Sequence, residues 1–276
     1  MGFRLKRHER VAPGLIRLLD RDLQRAGRAL GGSPVGLDAR VHKVRRRLKR
    51  DRSLLRVFEP AAPELARAIR RGLRDAGRAL AKLRERTALQ AAASALRVEL
   101  DARGRAALEA ALTPRSADET RSLQPLQEAA GLIRTARTSA RLLPRKGGRK
   151  LLDDALARAH RKARKGHRHA AKSLATADLH EWRKELKDLL HLIKLSGDRV
   201  AAGNATAKRA GAAERILGDD HDLAALGDRV IRFARDRSGR AKGAATIDAR
   251  RRRLQKAAFK LGKKIDKAKA PRLRER

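Results

Sequence analysis

Two short runs of this sequence set a histidine, an arginine and a lysine at one spacing. His42, Arg45 and Lys49 stand at i, i+3 and i+7, and so do His180, Arg183 and Lys187. On a helix, at about 100° per residue, each set falls within about 60° of arc. Arg56 and Lys194 return to that arc further along, so each stripe would run about 21 Å. The opposite face is apolar, with Val44, Leu48, Leu55 and Phe58 in the first run and Trp182, Leu186, Leu189 and Ile193 in the second. Such a helix buries one side and offers a line of cations on the other. The chemistry open to that line is anion recognition. An arginine fork can take two phosphate oxygens at once, and a lysine supplies a mobile point charge. A histidine among cations loses basicity, whereas a bound phosphate would restore it, so its protonation state stays open.

Like charges one turn apart weaken an isolated helix by a few tenths of a kcal/mol per pair. Collecting them on one face, twice, calls for a bound anion or for carboxylates on a neighbouring helix. A solvated, salt-bridged face is the usual fate of a single basic run. The overall balance favours the anion, because 71 Lys and Arg face only 31 Asp and Glu, a formal net charge of +40. That much self-repulsion destabilises a compact chain, and an anionic partner relieves it.

Composition narrows the remaining classes. No cysteine is present, which removes disulfide and thiolate-metal chemistry. Aromatic residues are 2% of the chain, with one Trp and no Tyr. That argues against the stacking platforms of single-strand nucleic-acid binders and suits a core of Leu, Ala, Val and Ile in close-packed helices. The opening, Met1 to Leu19, is basic but lacks an apolar signal region, and no stretch is long enough to span a membrane. Lys6 breaks the myristoylation pattern at Gly2. A cytoplasmic location without membrane insertion is expected.

The elements that must position these residues read as helices throughout. Leu/Ala periodicity, punctuated by Gly and Pro, predicts helices at 9–30, 37–58, 63–111 with a break near Arg86 or Gly104, 116–142, 149–174, 178–196, 205–236 and 244–268. These eight form two corresponding sets of four. Val41 to Lys49 answers Leu179 to Lys187 at an offset of 138 residues, continuing through Leu54 and Leu192 and through Arg56 and Lys194. Leu83-Arg84-Glu85 and Asp220-His221-Asp222 lie at nearly equal distances beyond their histidines. The expectation is an all-α protein, one domain over 1–276 with two four-helix bundles, 1–143 and 149–276, joined near Pro144 to Gly148.

At these residues the sequence resembles a known family. VHKVRRRLKRDRSLLRVF (41–58) and LHEWRKELKDLLHLIKL (179–195) are similar to the paired signature helices of the CHAD family, the conserved-histidine α-helical domain. LGDDHDLAAL (217–226) and the opening GFRLKRHERVAPGLIRLL fit other segments of it. The resemblance implies two bundles related by pseudo-twofold symmetry around a basic central groove or channel. It also implies binding of inorganic polyphosphate, association of some members with polyphosphate granules, and no catalytic activity or cofactor. Matched position by position, it assigns binding to His42, Arg45, Lys49, Arg52 and Arg56, and to His180, Arg183, Lys184, Lys187 and Lys194. Two departures stand out. Leu83-Arg84-Glu85-Arg86-Thr87 replaces the family's more usual Arg-Asp, and Arg52 corresponds to apolar Leu190, which shortens the second stripe.

Polyphosphate suits such a surface, being a flexible line of anions without bases. Arg161, Arg164 and Lys165, near His167 and His169, are additional candidates for the rim of the groove, while Glu85 and Asp222 are expected to tie a bundle end to nearby cations. The rows Arg134, Arg137, Arg141 and Lys256, Lys260, Lys263, Lys267 are read as outer solvated faces. His221-Asp222 is too little for a metal phosphohydrolase, which needs further converging ligands, and two histidines in a field of Arg do not suit a phosphorelay. No phosphate-binding loop or nucleophilic triad is present. The expected function is polyphosphate binding, as a granule-associated or scaffold protein and not an enzyme, with sequence-nonspecific nucleic-acid binding as the alternative.

Overall fold

A computed structural model describes residues 2–31, 36–81, 85–112, 124–201, 203–234 and 236–274, except for the side chains of 85–88. The fold is all-α. Its helices are α1 (Val11–Leu30), α2 (Leu37–Leu55), α3 (Pro63–Ala79), α4 (Glu85–Leu96), α5 (Ala102–Leu112), α6 (Gln124–Ala140), α7 (Gly148–Ser173), α8 (Thr176–Ser196), α9 (Gly203–Phe233) and α10 (Arg237–Asp266). One antiparallel pair of two-residue strands, β1 (Val200–Ala201) and β2 (Arg272–Leu273), fastens the C-terminal segment.

Helices α1, α2, α3 and α6 pack together, as do α7, α8, α9 and α10, and α2 meets α8 across the two sets. Periodicity explains the packing. In α1 the residues Leu15, Leu19, Leu23, Ala26 and Leu30 form one buried stripe, and in α8 Leu179, Trp182, Leu186, Leu189 and Ile193 do the same. Two of the five Trp and Phe residues meet in the second set of helices. The Trp182 ring stacks on Phe259 of α10 at 5.5 Å, with His167 of α7 at 5.1 Å from Trp182. His167 Nδ1 lies 2.9 Å from Asp266 Oδ2.

Two predicted boundaries are corrected. The segment 63–111 forms three helices, α3, α4 and α5, so the described chain is not eight helices in two equal sets. The second break falls at Leu100-Asp101 and not at Gly104, because the Asp101 carboxylate accepts the Gly104 backbone N–H at 2.8 Å and starts α5. Together α4 and α5 pack on α9 and α10 around a second apolar cluster that includes Leu89, Leu96, Leu108, Leu226 and Ile247. Helix α10 begins at Arg237, seven residues before the expected start, since Gly239 and Gly243 lie inside it. Asp236 caps it by accepting from the Gly239 N–H at 2.6 Å. A Cβ at Gly239 would stand 2.6 Å from the Arg103 carbonyl oxygen, so this glycine serves close packing with α5 and does not break the helix.

Candidate polyanion-binding site

The stripe on α2 and the stripe on α8 come together where these helices meet. Ser53 of α2 lies against α8: its Oγ donates to Asp188 Oδ1 at 2.5 Å and lies 3.1 Å from His191 Nδ1. Arg56, the residue after α2, places Nε 2.7 Å from Asp188 Oδ2. Arg52 is half-buried near Asp188, Arg56, Arg74 and Arg78, and burial is the main cause lowering its pKa. Asp188 is therefore a shared counter-charge for cations of α2 and α3.

One turn further along, Lys49 of α2 lies near its neighbour Arg45 and near Lys187 and Arg183 of α8, and a carboxylate of α9 pairs with the two α8 cations. Glu214 Oε1 accepts from Lys187 Nζ at 2.6 Å and from Arg183 Nε at 3.2 Å. Burial alone would raise the Glu214 pKa, but Lys187 and Arg183 outweigh it and hold the carboxyl below its usual range. Lys49 keeps contact with solvent, yet protein crowds its charge from both sides. Burial, then Lys187, Arg45 and Arg183, bring its pKa down to about 7, with only Glu214 pulling the other way. Burial likewise lowers Lys187, opposed by Glu214. Arg45 also donates to the Gly77 carbonyl of α3, which anchors its guanidinium.

Helix α9 supplies the rest of the wall through Leu217-Gly218-Asp219-Asp220-His221-Asp222-Leu223. Leu217 and Leu223 are buried. Gly218 makes room for Arg183, since a Cβ there would lie 2.8 Å from its Nη2. The His221 ring sits 4.5 Å from the His180 ring. Burial, then His221 and nearby Lys184 and Arg183, bring His180 down to about 4, and burial followed by Arg183 lowers His221. Both rings are thus neutral near pH 7 without an anion.

Asp220, the neighbour of His221 on the side away from the expected Asp222, carries a structural ion pair in this segment. It is 1% exposed and accepts from Arg251 Nε at 3.1 Å and from Gln255 Nε2 at 2.9 Å, locking α9 to α10. Asp222 sits half-buried beside His221 and Asp219. The side chain of Glu85 lies outside the described residues. Among the described residues no three His, Asp or Glu side chains gather to hold a metal ion.

The remaining predicted residues divide. His42 is half-buried on α2, and Lys194 is exposed but close enough to His191 to lower its pKa. Lys184 is exposed and pairs with Glu181 of its own helix. Arg164 points not to the α2–α8 seam but toward Asp266 of α10, at 3.9 Å, while Arg161 and Lys165 are exposed on α7.

Sequence reasoning missed His191, Ser53, Asp188 and Glu214. A signal existed for two of them. His191 and Ser53 each stand eleven residues after a signature histidine, about 20° from it on the helix and so beside the histidine edge of the stripe. His191 is brought down to about 3 by burial, then by Lys187, Arg50, Lys194 and Lys49. Glu214 had no such signal, because nothing in its own helix indicates that it faces another stripe.

The CHAD domain family model matches residues 34–231, and the chain belongs to that family. The crystal structure of the CHAD domain from the plant Ricinus communis is similar to it, with a TM-score of 0.56 at 17% identity over 96% of this chain and 93% of that one. No curated protein matches the chain.

Proposed function

We propose that the protein binds inorganic polyphosphate along the seam of α2, α8 and α9, as a binding protein and not an enzyme. One observation carries this reading. Arg183 and Lys187 of α8 share one carboxylate, Glu214, and that same carboxylate is what offsets the charge of Lys49 brought to it from α2. The salt-bridged alternative is only partly realised there, and the unbalanced charge is what a line of phosphates would neutralise. Family membership supports the same ligand class, since polyphosphate binding is a property of CHAD domains.

The two stripes are read as repeats about a pseudo-twofold axis. In support, Ser53 and His191 touch at a sequence separation of 138, the offset of the repeat, and contact between equivalent positions is what an axis through the seam would produce. No helix among the described residues is long and apolar enough to cross a membrane. Association with polyphosphate granules, as a client or scaffold in the cytoplasm, fits a surface that grips a polymer without altering it.

The test compares Lys49→Met with Arg183→Ala in one variant against Lys256→Ala, Lys260→Ala and Lys263→Ala in another, titrating long-chain polyphosphate at fixed salt. The seam variant should lose at least about tenfold in affinity, equivalent to about 1.4 kcal/mol, and the outer-face variant much less. Equal losses would reduce the interaction to net charge. Displacement of polyphosphate by duplex DNA at equal phosphate concentration would favour a nucleic-acid ligand, and phosphate release with Mg²⁺ would point to an enzyme.

A further inference from the structure

A second concentration of positive charge lies away from the seam. The N-terminal segment, the turn before α7 and the C-terminal strand enclose a cleft of about 1640 Å³ that shares none of the seam residues. Twelve Lys and Arg line it, against one carboxylate, Asp198. Asp198 is exposed and lies 3.9 Å from Arg4, so it neutralises little. The nearby Glu9 is already engaged by Arg17, at 2.5 and 2.7 Å. Some lining cations build the walls: Arg149 donates to the Arg274 carbonyl at 2.6 Å, and Arg199 donates to the Glu9 carbonyl at 2.6 Å.

Others have no structural task. Arg7, Arg10, Arg145, Lys146 and Lys150 are exposed, and among the described residues none of their side chains is recorded in a hydrogen bond or ion pair. They come from two segments more than 130 residues apart, so their meeting is a product of the fold and not of one basic run. Gly148 makes the approach possible, because a Cβ there would stand 2.4 Å from the Ala12 backbone nitrogen. The first turns of α1 and α7 consequently abut at the cleft, and neither contains an acidic residue that would offset the lining.

We propose that this cleft is a second site for a linear polyanion of phosphates, engaging the part of a long polyphosphate chain that extends beyond the seam. The identity of the ligand rests on the function proposed above, whereas the existence of the site rests on the cleft. Its volume exceeds the 300–1,000 Å³ or so typical of small-molecule pockets, so it accommodates several linked phosphates rather than one. Its lining has no Phe, Tyr or Trp, which leaves bases nothing to stack on. A smaller pocket of about 250 Å³ shares Gly2 and Arg21 with the cleft and reaches Arg47 and Arg50 of α2. The Arg50 charge in turn acts on His191 in the seam. Within that pocket Arg47 and Arg50 are held by the buried Asp22 carboxylate.

The experiment uses the full chain and long-chain polyphosphate, with duplex DNA as a second probe. A cleft variant carries Arg7→Ser, Arg10→Ser, Lys146→Ser and Lys150→Ser. A control removes the same number of charges through Lys256→Ala, Lys260→Ala, Lys263→Ala and Lys264→Ala, and the seam variant is Lys49→Met with Arg183→Ala. The double variant Lys146→Ser, Lys150→Ser keeps the test available if the quadruple variant melts abnormally. The cleft variant should lose about tenfold more affinity for polyphosphate than the control. The slope of log K against log salt should flatten by roughly 0.7–0.9 per phosphate contact removed.

A cleft variant indistinguishable from the control overturns the proposal even if the seam variant is impaired. Loss in the cleft variant with an unaffected seam variant leaves the cleft in place and removes the seam reading. Loss toward duplex DNA alone assigns the cleft to nucleic acid and overturns the proposal.

Discussion

Lys49 shows how the fold changes the chemistry of a single residue. In the unfolded chain its ammonium titrates near 10.4, but in the seam burial and Lys187 bring it down to about 7. Between those values the unfolded chain binds more protons than the folded one, so this residue makes stability rise with pH from about 7 to 10.5. A bound polyanion acts in the opposite sense by favouring the charged ammonium. Polyphosphate binding near pH 7.5 should therefore take up protons and weaken as pH rises through 8. Calorimetry in two buffers of different ionisation enthalpy would measure that uptake, and Lys49→Met should remove most of it. His180 and His191, lowered to about 4 and 3, behave differently. The unfolded chain protonates these rings first as pH falls below about 6.5, so both cost the unliganded fold stability over that acid range. An unfolding midpoint that did not fall between pH 6.5 and 4.5 would contradict this account.

At the level of elements, α8 and α9 each join a structural face to a functional one. The buried side of α8 is centred on Trp182, stacked against Phe259 with its ring planes 5° apart. Trp182→Ala should cost about 3–5 kcal/mol, seen as a lower denaturation midpoint. On α9, Gly218 is the place where Arg183 crosses the helix. Gly218→Ala should leave the helix intact, since alanine is the better helix former, yet displace the Arg183 guanidinium. The expected result is weaker polyphosphate binding at nearly unchanged thermal stability, and unchanged binding would show that Arg183 does not need this position. The same glycine appears in the sequence as part of LGDDHDL, whose pattern is legible but whose spatial reason is not. Gly239 is the opposite case, where a residue that looks like a helix breaker supports packing between α5 and α10.

Across the whole molecule the apolar interior is divided. A large cluster unites α1, α2, α3 and α6 with α7, α8 and parts of α9 and α10, and a smaller one lies under α4 and α5. Elements with fewer buried contacts open at lower free energy, so amides of α4 and α5 should exchange faster than those of α8 in native-state hydrogen exchange. Equal protection would mean that the two clusters unfold as one. Positive charge is also divided, between the seam and the N-terminal cleft. Under the two proposals above, a polyphosphate chain would be held at more than one place along its length, and effective concentration strengthens such linked contacts.

Helical periodicity and the His-Arg-Lys spacing determined the all-α class and the buried faces of α2 and α8, and counting gave the surplus of cations, because these depend on local geometry and composition. The tertiary structure alone decided that Glu214 of α9 pairs with Arg183 and Lys187, that Asp220 binds α9 to α10, and that the N-terminal segment and residues 145–150 line one cleft. Each of these depends on distances between segments remote in sequence. Residue order along a helix specifies which way a side chain leaves the backbone, but not what stands opposite it.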